Sequence, residues 1–141
     1  MPETPSHLTG RCLCGSITYS VAAEPFVQAV CHCTDCQRQT GTAFSVVVGV
    51  PLAALTIHGD TLSSFETMGE DHKTPTERRF CSACGSPIVS VAQAAPEFAF
   101  IKAGTLDDAS WLEPAIEVWT RSAQPWSPHF ENAAQIERGP G

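Results

Sequence analysis

The sequence predicts an all-β domain, and three observations lead there. Apolar and β-branched residues come in short stretches, some strictly alternating with polar ones, as in residues 16–21. Ten glycines and eleven prolines punctuate these stretches. No segment has the long 3.6-residue apolar period of an amphipathic helix, and no internal repeat or linker is evident.

Composition agrees with a globular core, at 43% hydrophobic and 16% charged residues. A chain of 141 residues fits one domain that buries roughly 68% of its unfolded surface. We divide it into a loose polar arm at 1–9, a single domain at 10–130 and a loose tail at 131–141. The first ten residues lack the basic and apolar regions of a signal peptide. The longest apolar run, 46–55, is broken by Gly49 and Pro51, and no run approaches the ~18 residues of a membrane span. The expectation is a soluble, cytoplasmic protein with no membrane partner, in which thiols stay reduced. The net charge of −7, with eight Lys and Arg, argues against a nucleic-acid partner.

In chain order, residues 16–21 place Ile17, Tyr19 and Val21 on one face, so they read as a half-buried strand. Residues 26–30 pair with it after a turn near Glu24 and Pro25, and deliver Cys31. Thr34 caps a short helical turn through Gln39, its hydroxyl accepting a backbone N–H, and Gly41 ends it. Residues 43–50 read as a central strand and 51–55 as a turn. Residues 56–58 and 62–68 resemble a hairpin around Gly59 and Asp60. Residues 69–75 read as a charged surface loop. Further strands are expected at 76–80, 87–91, 98–103 and 116–120, with a polar connection at 104–108.

The chemistry concentrates in seven cysteines. Cys31-His32-Cys33-Thr34-Asp35-Cys36 crowds three thiols into six residues; such spacing suits one metal ion better than a disulfide. Cys12-Leu13-Cys14-Gly15 and Cys81-Ser82-Ala83-Cys84-Gly85 are tight pairs, each followed by glycine, which tolerates the positive φ of a thiolate turn. An odd total is awkward for disulfides. It divides naturally into a closed four-cysteine site (Cys12, Cys14, Cys81, Cys84) and an open three-cysteine site (Cys31, Cys33, Cys36). Zinc takes four ligands in structural sites and typically three protein ligands in catalytic ones.

Other readings remain open at this level. The two pairs can be separate redox dithiols. Cys33 and Cys36 can join Cys81 and Cys84 as a zinc ribbon. His32, Asp35, His58 or His72 can close the three-cysteine site, although His32, lying between two ligands, should point away from their metal. A three-thiolate zinc is a weak Lewis acid towards water, but it favours a fourth soft ligand such as an incoming thiol, which it deprotonates. Making or breaking a carbon–sulfur bond is the chemistry best suited to it.

These motifs, with Gly104-Thr105-Leu106-Asp107 and the stretch from Trp119 to Trp126, resemble the glutathione-dependent formaldehyde-activating family across roughly residues 10–126. The resemblance implies an Mss4-like, all-β fold of small antiparallel sheets clamped by zinc. It implies two zinc ions per chain, one structural on Cys12, Cys14, Cys81 and Cys84, and one catalytic on Cys31, Cys33 and Cys36. The implied activity is that of a carbon–sulfur lyase joining formaldehyde and glutathione in S-hydroxymethylglutathione. The small-molecule partners are then a thiol such as glutathione and an aldehyde. Arg38 is a candidate to meet a substrate carboxylate, Phe44 and Trp126 to wall a pocket, and Asp107 to act as acid–base group. The rival classes are a non-catalytic zinc module that binds a protein, and a redox sensor built on Cys31, Cys33 and Cys36; a vacant coordination position distinguishes the enzyme from the module.

Overall fold

The computed structural model describes residues 3–70 and 74–139. In chain order its strands are β1 (Leu8–Arg11), β2 (Thr18–Val21), β3 (Val27–Cys31), β4 (Ser45–Pro51), β5 (Leu55–His58), β6 (Leu62–Thr67), β7 (Thr76–Cys81), β8 (Pro87–Ala92), β9 (Phe98–Lys102), β10 (Ile116–Val118) and β11 (Ala134–Gln135). One α-helix, α1 (Thr34–Thr40), follows β3. Among the described residues no helix is long and apolar enough to cross a membrane.

Two sheets result. The smaller is antiparallel, in the order β1-β2-β5. The larger has eight strands in the order β11-β10-β3-β4-β9-β8-β7-β6. Its pairs are antiparallel from β3 to β6, while β10 runs parallel to both β3 and β11.

Successive side chains of a strand point to opposite faces, and the larger sheet uses both. Val48 and Val50 of β4, Ala99 and Ile101 of β9, and Val89 and Val91 of β8 pack with Ile17, Tyr19 and Val21 in the main core. The intervening residues, among them Ala29, Val47, Phe100 and Lys102, face a cavity on the other side. Val47 lies opposite both Ala29 and Lys102 in the sheet register, so these three form one row across that face.

Several sequence expectations change here. Residues 26–30 do not pair with residues 16–21. β2 lies between β1 and β5 in the small sheet, whereas β3 pairs with β4 in the large one. The reason is that β3 buries side chains on both faces, Val30 on one and Ala29 on the other, and so belongs inside the larger sheet. Leu8 and Thr9, expected in a loose arm, begin β1, with Leu8 buried in the core. The hairpin expected around Gly59 and Asp60 does not form: β5 joins β2 and β6 joins β7. Gly59, at φ 128°, packs against the Ser16 carbonyl, and the chain changes sheet there. Ala134 and Gln135, expected in a tail, pair with β10. The helix cap is Cys33, whose Sγ accepts the Cys36 N–H at 3.3 Å, one residue before the expected Thr34. Gly41 ends the helix as expected, in the left-handed region at φ 71°.

Candidate metal centres and the cavity beside them

The first cluster joins two turns. Cys12 and Cys14 lie in the β1–β2 turn, Cys81 ends β7 and Cys84 sits in the β7–β8 turn. Each turn closes on its glycine: Gly15 N–H donates to Cys12 O and Gly85 N–H to Cys81 O, with φ of 80° and 81°. All four sulfurs lie within 4.8 Å of one another. Cys12 and Cys14 are 3.6 Å apart, Cys14 and Cys81 3.8 Å. Four sulfurs about 2.3 Å from a tetrahedral zinc would stand about 3.8 Å from each other. The donor set therefore fits zinc.

Its surroundings favour thiolates at Cys81 and Cys84, whereas at Cys14 the Ser16 hydrogen bonds are outweighed by desolvation and the neighbouring Cys12 and Cys84 sulfurs, which raise the thiol. The Ile17 N–H donates to Cys12 Sγ at 3.3 Å. Hydrogen bonds from the Ser16 and Thr61 hydroxyls pull the Cys81 thiol down to about 5, and one from Ser86 brings Cys84 to about 7. A metal here would tie the small sheet to the large one through residues far apart in the chain.

The second cluster is local. Cys31 is the last residue of β3, Cys33 caps α1 and Cys36 lies in its first turn. The three sulfurs also lie within 4.8 Å of one another. Trp119, fully buried, packs on Cys33 and Cys36. No fourth Cys, His, Asp or Glu among the described residues joins the three at that spacing. His32 turns away, as expected, and is wholly buried with its Nε2 2.7 Å from Glu117 Oε1. His58 ends β5 in the other sheet. Asp35 lines a separate hollow, and His72 lies outside the described residues.

Two cations beside this cluster escaped the sequence reading. Arg78 and Lys102 are each 6% exposed. Arg78 Nη1 donates to Gln39 Oε1 at 2.8 Å and to Cys36 Sγ at 3.7 Å, and its Nε donates to Thr67 Oγ1. Lys102 Nζ donates to Ser45 Oγ at 2.8 Å. Hydrogen bonds from Cys31 and Cys33, and then the charges of Lys102 and Arg78, outweigh burial and hold the Cys36 thiol well below its usual range. Cys31 is pushed up by hydrogen bonds to Cys33 and Cys36, then by burial and by charge on those sulfurs. For Cys33 the hydrogen bond with Cys31 opposes a rise, but the hydrogen bond to Cys36 and burial outweigh it and push the thiol up. Burial lowers the Lys102 ammonium, while for Arg78 the thiolate at Cys36 outweighs burial. A signal for both cations exists in the sequence. Thr76 and Arg78 alternate with Glu77 and Arg79, and Lys102 shares a strand face with Phe98 and Phe100.

The three cysteines and the two cations line one end of a cavity of about 410 Å³. The rest of its wall is mostly apolar, interrupted by the Thr76 and Ser90 hydroxyls, and comes from Phe26 and from β3, β4, β7, β8, β9 and β10. Arg38, Phe44 and Trp126 do not line it. Arg38 borders a neighbouring hollow of about 370 Å³, and Arg78 lies between the two. Phe44 packs edge-on against His32 and Phe130. Trp126 is 69% exposed. Asp107 accepts a hydrogen bond from Thr9 and lines a hollow that contains none of Cys31, Cys33 and Cys36.

A third group, His32, Glu117 and His129, is also close enough to hold a metal. Its members already bond one another: Glu117 Oε1 meets both imidazoles, at 2.7 and 2.9 Å, and Oε2 accepts the Phe130 N–H. These bonds tie the segment between Cys31 and Cys33 to β10.

Comparison with known proteins places this arrangement. A curated protein of Halomonas elongata named "Putative glutathione-dependent formaldehyde-activating enzyme" is 27% identical over 84 residues, covering 57% of this chain and 54% of the relative. The chain thus spans about half the length of that relative. A crystal structure of a Rhodobacter sphaeroides protein superposes with a TM-score of 0.57, at 19% identity, over 75% of this chain and 91% of that one. It supports the fold alone. The family described as glutathione-dependent formaldehyde-activating enzyme matches residues 7–122, a span that includes both cysteine clusters, Arg78 and Lys102. The chain belongs to the glutathione-dependent formaldehyde-activating enzyme family.

Proposed function

We propose that the protein is a zinc-dependent carbon–sulfur lyase acting on a thiol–aldehyde adduct, with glutathione as the thiol. The observation that carries this reading is the three-cysteine cluster at the end of an open cavity, flanked by the buried Arg78 and Lys102. Cys31, Cys33 and Cys36 would hold the catalytic zinc; Cys12, Cys14, Cys81 and Cys84 would hold the structural one. Zinc at the first set supplies a fourth position for a soft anion and favours the deprotonated thiol.

In the synthetic direction the thiol sulfur forms a bond to the carbonyl carbon and the C=O π bond opens. The proton lost by the thiol ends on the new hydroxyl oxygen, so no oxidant or reductant is required. The chain's own part is electrostatic. Three thiolates exceed a divalent cation by one negative charge, and Arg78 and Lys102 turn that excess positive. An anionic sulfur or oxygen is thereby favoured at the cavity end, where low polarity strengthens the interaction. Arg78 also holds the cluster through Cys36 and Gln39. Arg38, bordering the adjoining hollow, would meet a glutathione carboxylate.

Cobalt substitution tests the reading. Wild type should bind two cobalt ions per chain, and glutathione should add a sulfur-to-cobalt charge-transfer band that a non-thiol analogue does not. Cys33→Ser should stay folded, keep one metal and lose the glutathione-dependent band. A cobalt spectrum unmoved by millimolar glutathione would sink the assignment.

A further inference from the structure

We infer that the aldehyde partner is larger than formaldehyde: the cavity beside the three cysteines takes an aldehyde with an apolar alkyl or aryl body, its reactive carbon at the Arg78 and Lys102 end. This deepens the lyase reading and rests on it. Formaldehyde has one carbon and needs no cavity. The volume of about 410 Å³ lies in the usual range for a small-molecule pocket. Phe26, Val27, Val47, Phe100, Ile116 and Val118 supply most of its wall, with the Thr76 and Ser90 hydroxyls among them, and the two cations gather beside the cysteines. That distribution suits a molecule with one polar head and one oily body. It does not suit the body of glutathione, whose charged groups lie at both ends and would be stranded against the apolar wall. The adjoining hollow, with Arg38 and Asp35 at its rim, is the better place for the tripeptide, and Arg78 stands where the two spaces meet. The cavity face is also distinct from the core: Val47 lines the cavity and the next residue, Val48, lies in the main core.

The test is binding to the zinc-loaded protein, followed by NMR of the valine methyl groups. The first arm compares 1-octanol with methanol and uses no thiol. Octanol should shift the methyl signals of Val27, Val47 and Val118 and leave those of Val48 and Val50 in place; methanol should shift none. The second arm compares S-octylglutathione with S-methylglutathione. Each methylene removed from water strengthens binding about fourfold, so with half the octyl chain buried its conjugate should bind about 100-fold tighter. The octanol arm decides this inference, and octanol that leaves the Val47 and Val118 methyls unmoved overturns it. If the protein also sediments as a dimer in that case, the face is an interface between copies. If octanol shifts those methyls while neither conjugate binds, the apolar site stands and glutathione is the part of the reading that fails.

Discussion

Replacing Cys12 by serine tests whether the four-cysteine cluster is the clamp between the sheets. Cys12 is buried, its sulfur accepts the Ile17 N–H, and it stands 3.6 Å from Cys14. A structural zinc contributes an apparent ~10–16 kcal/mol of folding energy. Shared among four thiolates, that is about 3 kcal/mol for each. A domain's whole stability is about 5–15 kcal/mol, so the loss is large. Serine leaves a hydroxyl that can still accept the Ile17 N–H, which confines the loss mainly to the metal. For a chain of this size a destabilisation of 1 kcal/mol lowers the melting temperature by about 4 °C, so the midpoint should fall by about 10 °C or more. The assay is thermal unfolding followed by far-ultraviolet circular dichroism, with metal content measured on the same sample. EDTA should lower the wild-type midpoint towards that of the variant. A Cys12→Ser protein that melts within 2 °C (roughly 0.5 kcal/mol) of wild type, with its zinc unchanged, would refute the reasoning.

Two further substitutions address buried acids. Glu117→Gln should destabilise by about 1–3 kcal/mol near neutral pH, because Glu117 is fully buried and accepts from His32, His129 and the Phe130 N–H. Burial raises its carboxyl, but these hydrogen bonds outweigh burial and hold it below the usual 4.5. The contribution is thus present above pH 4.5 and lost as pH falls through the folded value; the gap between wild type and variant should shrink in acid, and a gap independent of pH would contradict the assignment. Burial pushes Tyr19 up to about 12 from 10, although Thr105 hydrogen-bonds its hydroxyl. A raised value means stability complete below pH 10 and lost as pH rises towards 12, so wild type should lose more stability than Tyr19→Phe across that interval in denaturant melts.

The cysteine clusters were legible because their ligands announce themselves at short range. Cys31, Cys33 and Cys36 need one turn of chain, and Gly15 and Gly85 mark the two knuckles of the other site. Strand existence was legible from alternation, as in Ile17, Tyr19 and Val21. Strand partnership was not, because nothing local in residues 27–31 says that β4 and β10, rather than β2, will pair with them. Arg78 and Lys102 were missed for a different reason. A charge in a strand ordinarily signals solvent, and here burial is tolerated because thiolates lie across from it. Phe44 and Trp126, the expected pocket walls, do not line the cavity beside the three cysteines. The backbone instead sends Phe44 towards His32 and leaves Trp126 in water.

The parallel pairing of β10 with β3 has a consequence for the order of assembly. β6, β7, β8 and β9 pair with neighbours in sequence, and contacts of that kind form early. The last cysteine of the four-cysteine cluster is Cys84, so a chain emerging from the ribosome can bring the four sulfurs together while residues beyond 84 are still being made. The second cluster has all its sulfurs by Cys36 but lacks walls: Lys102 arrives with β9, Ile116 and Val118 with β10, and Trp119 follows. Until β10 docks beside β3, the three thiols nearest to one another are open to solvent, to oxidants and to any passing metal. On this order of synthesis the four-cysteine cluster can assemble first, and the three-cysteine cluster is enclosed last.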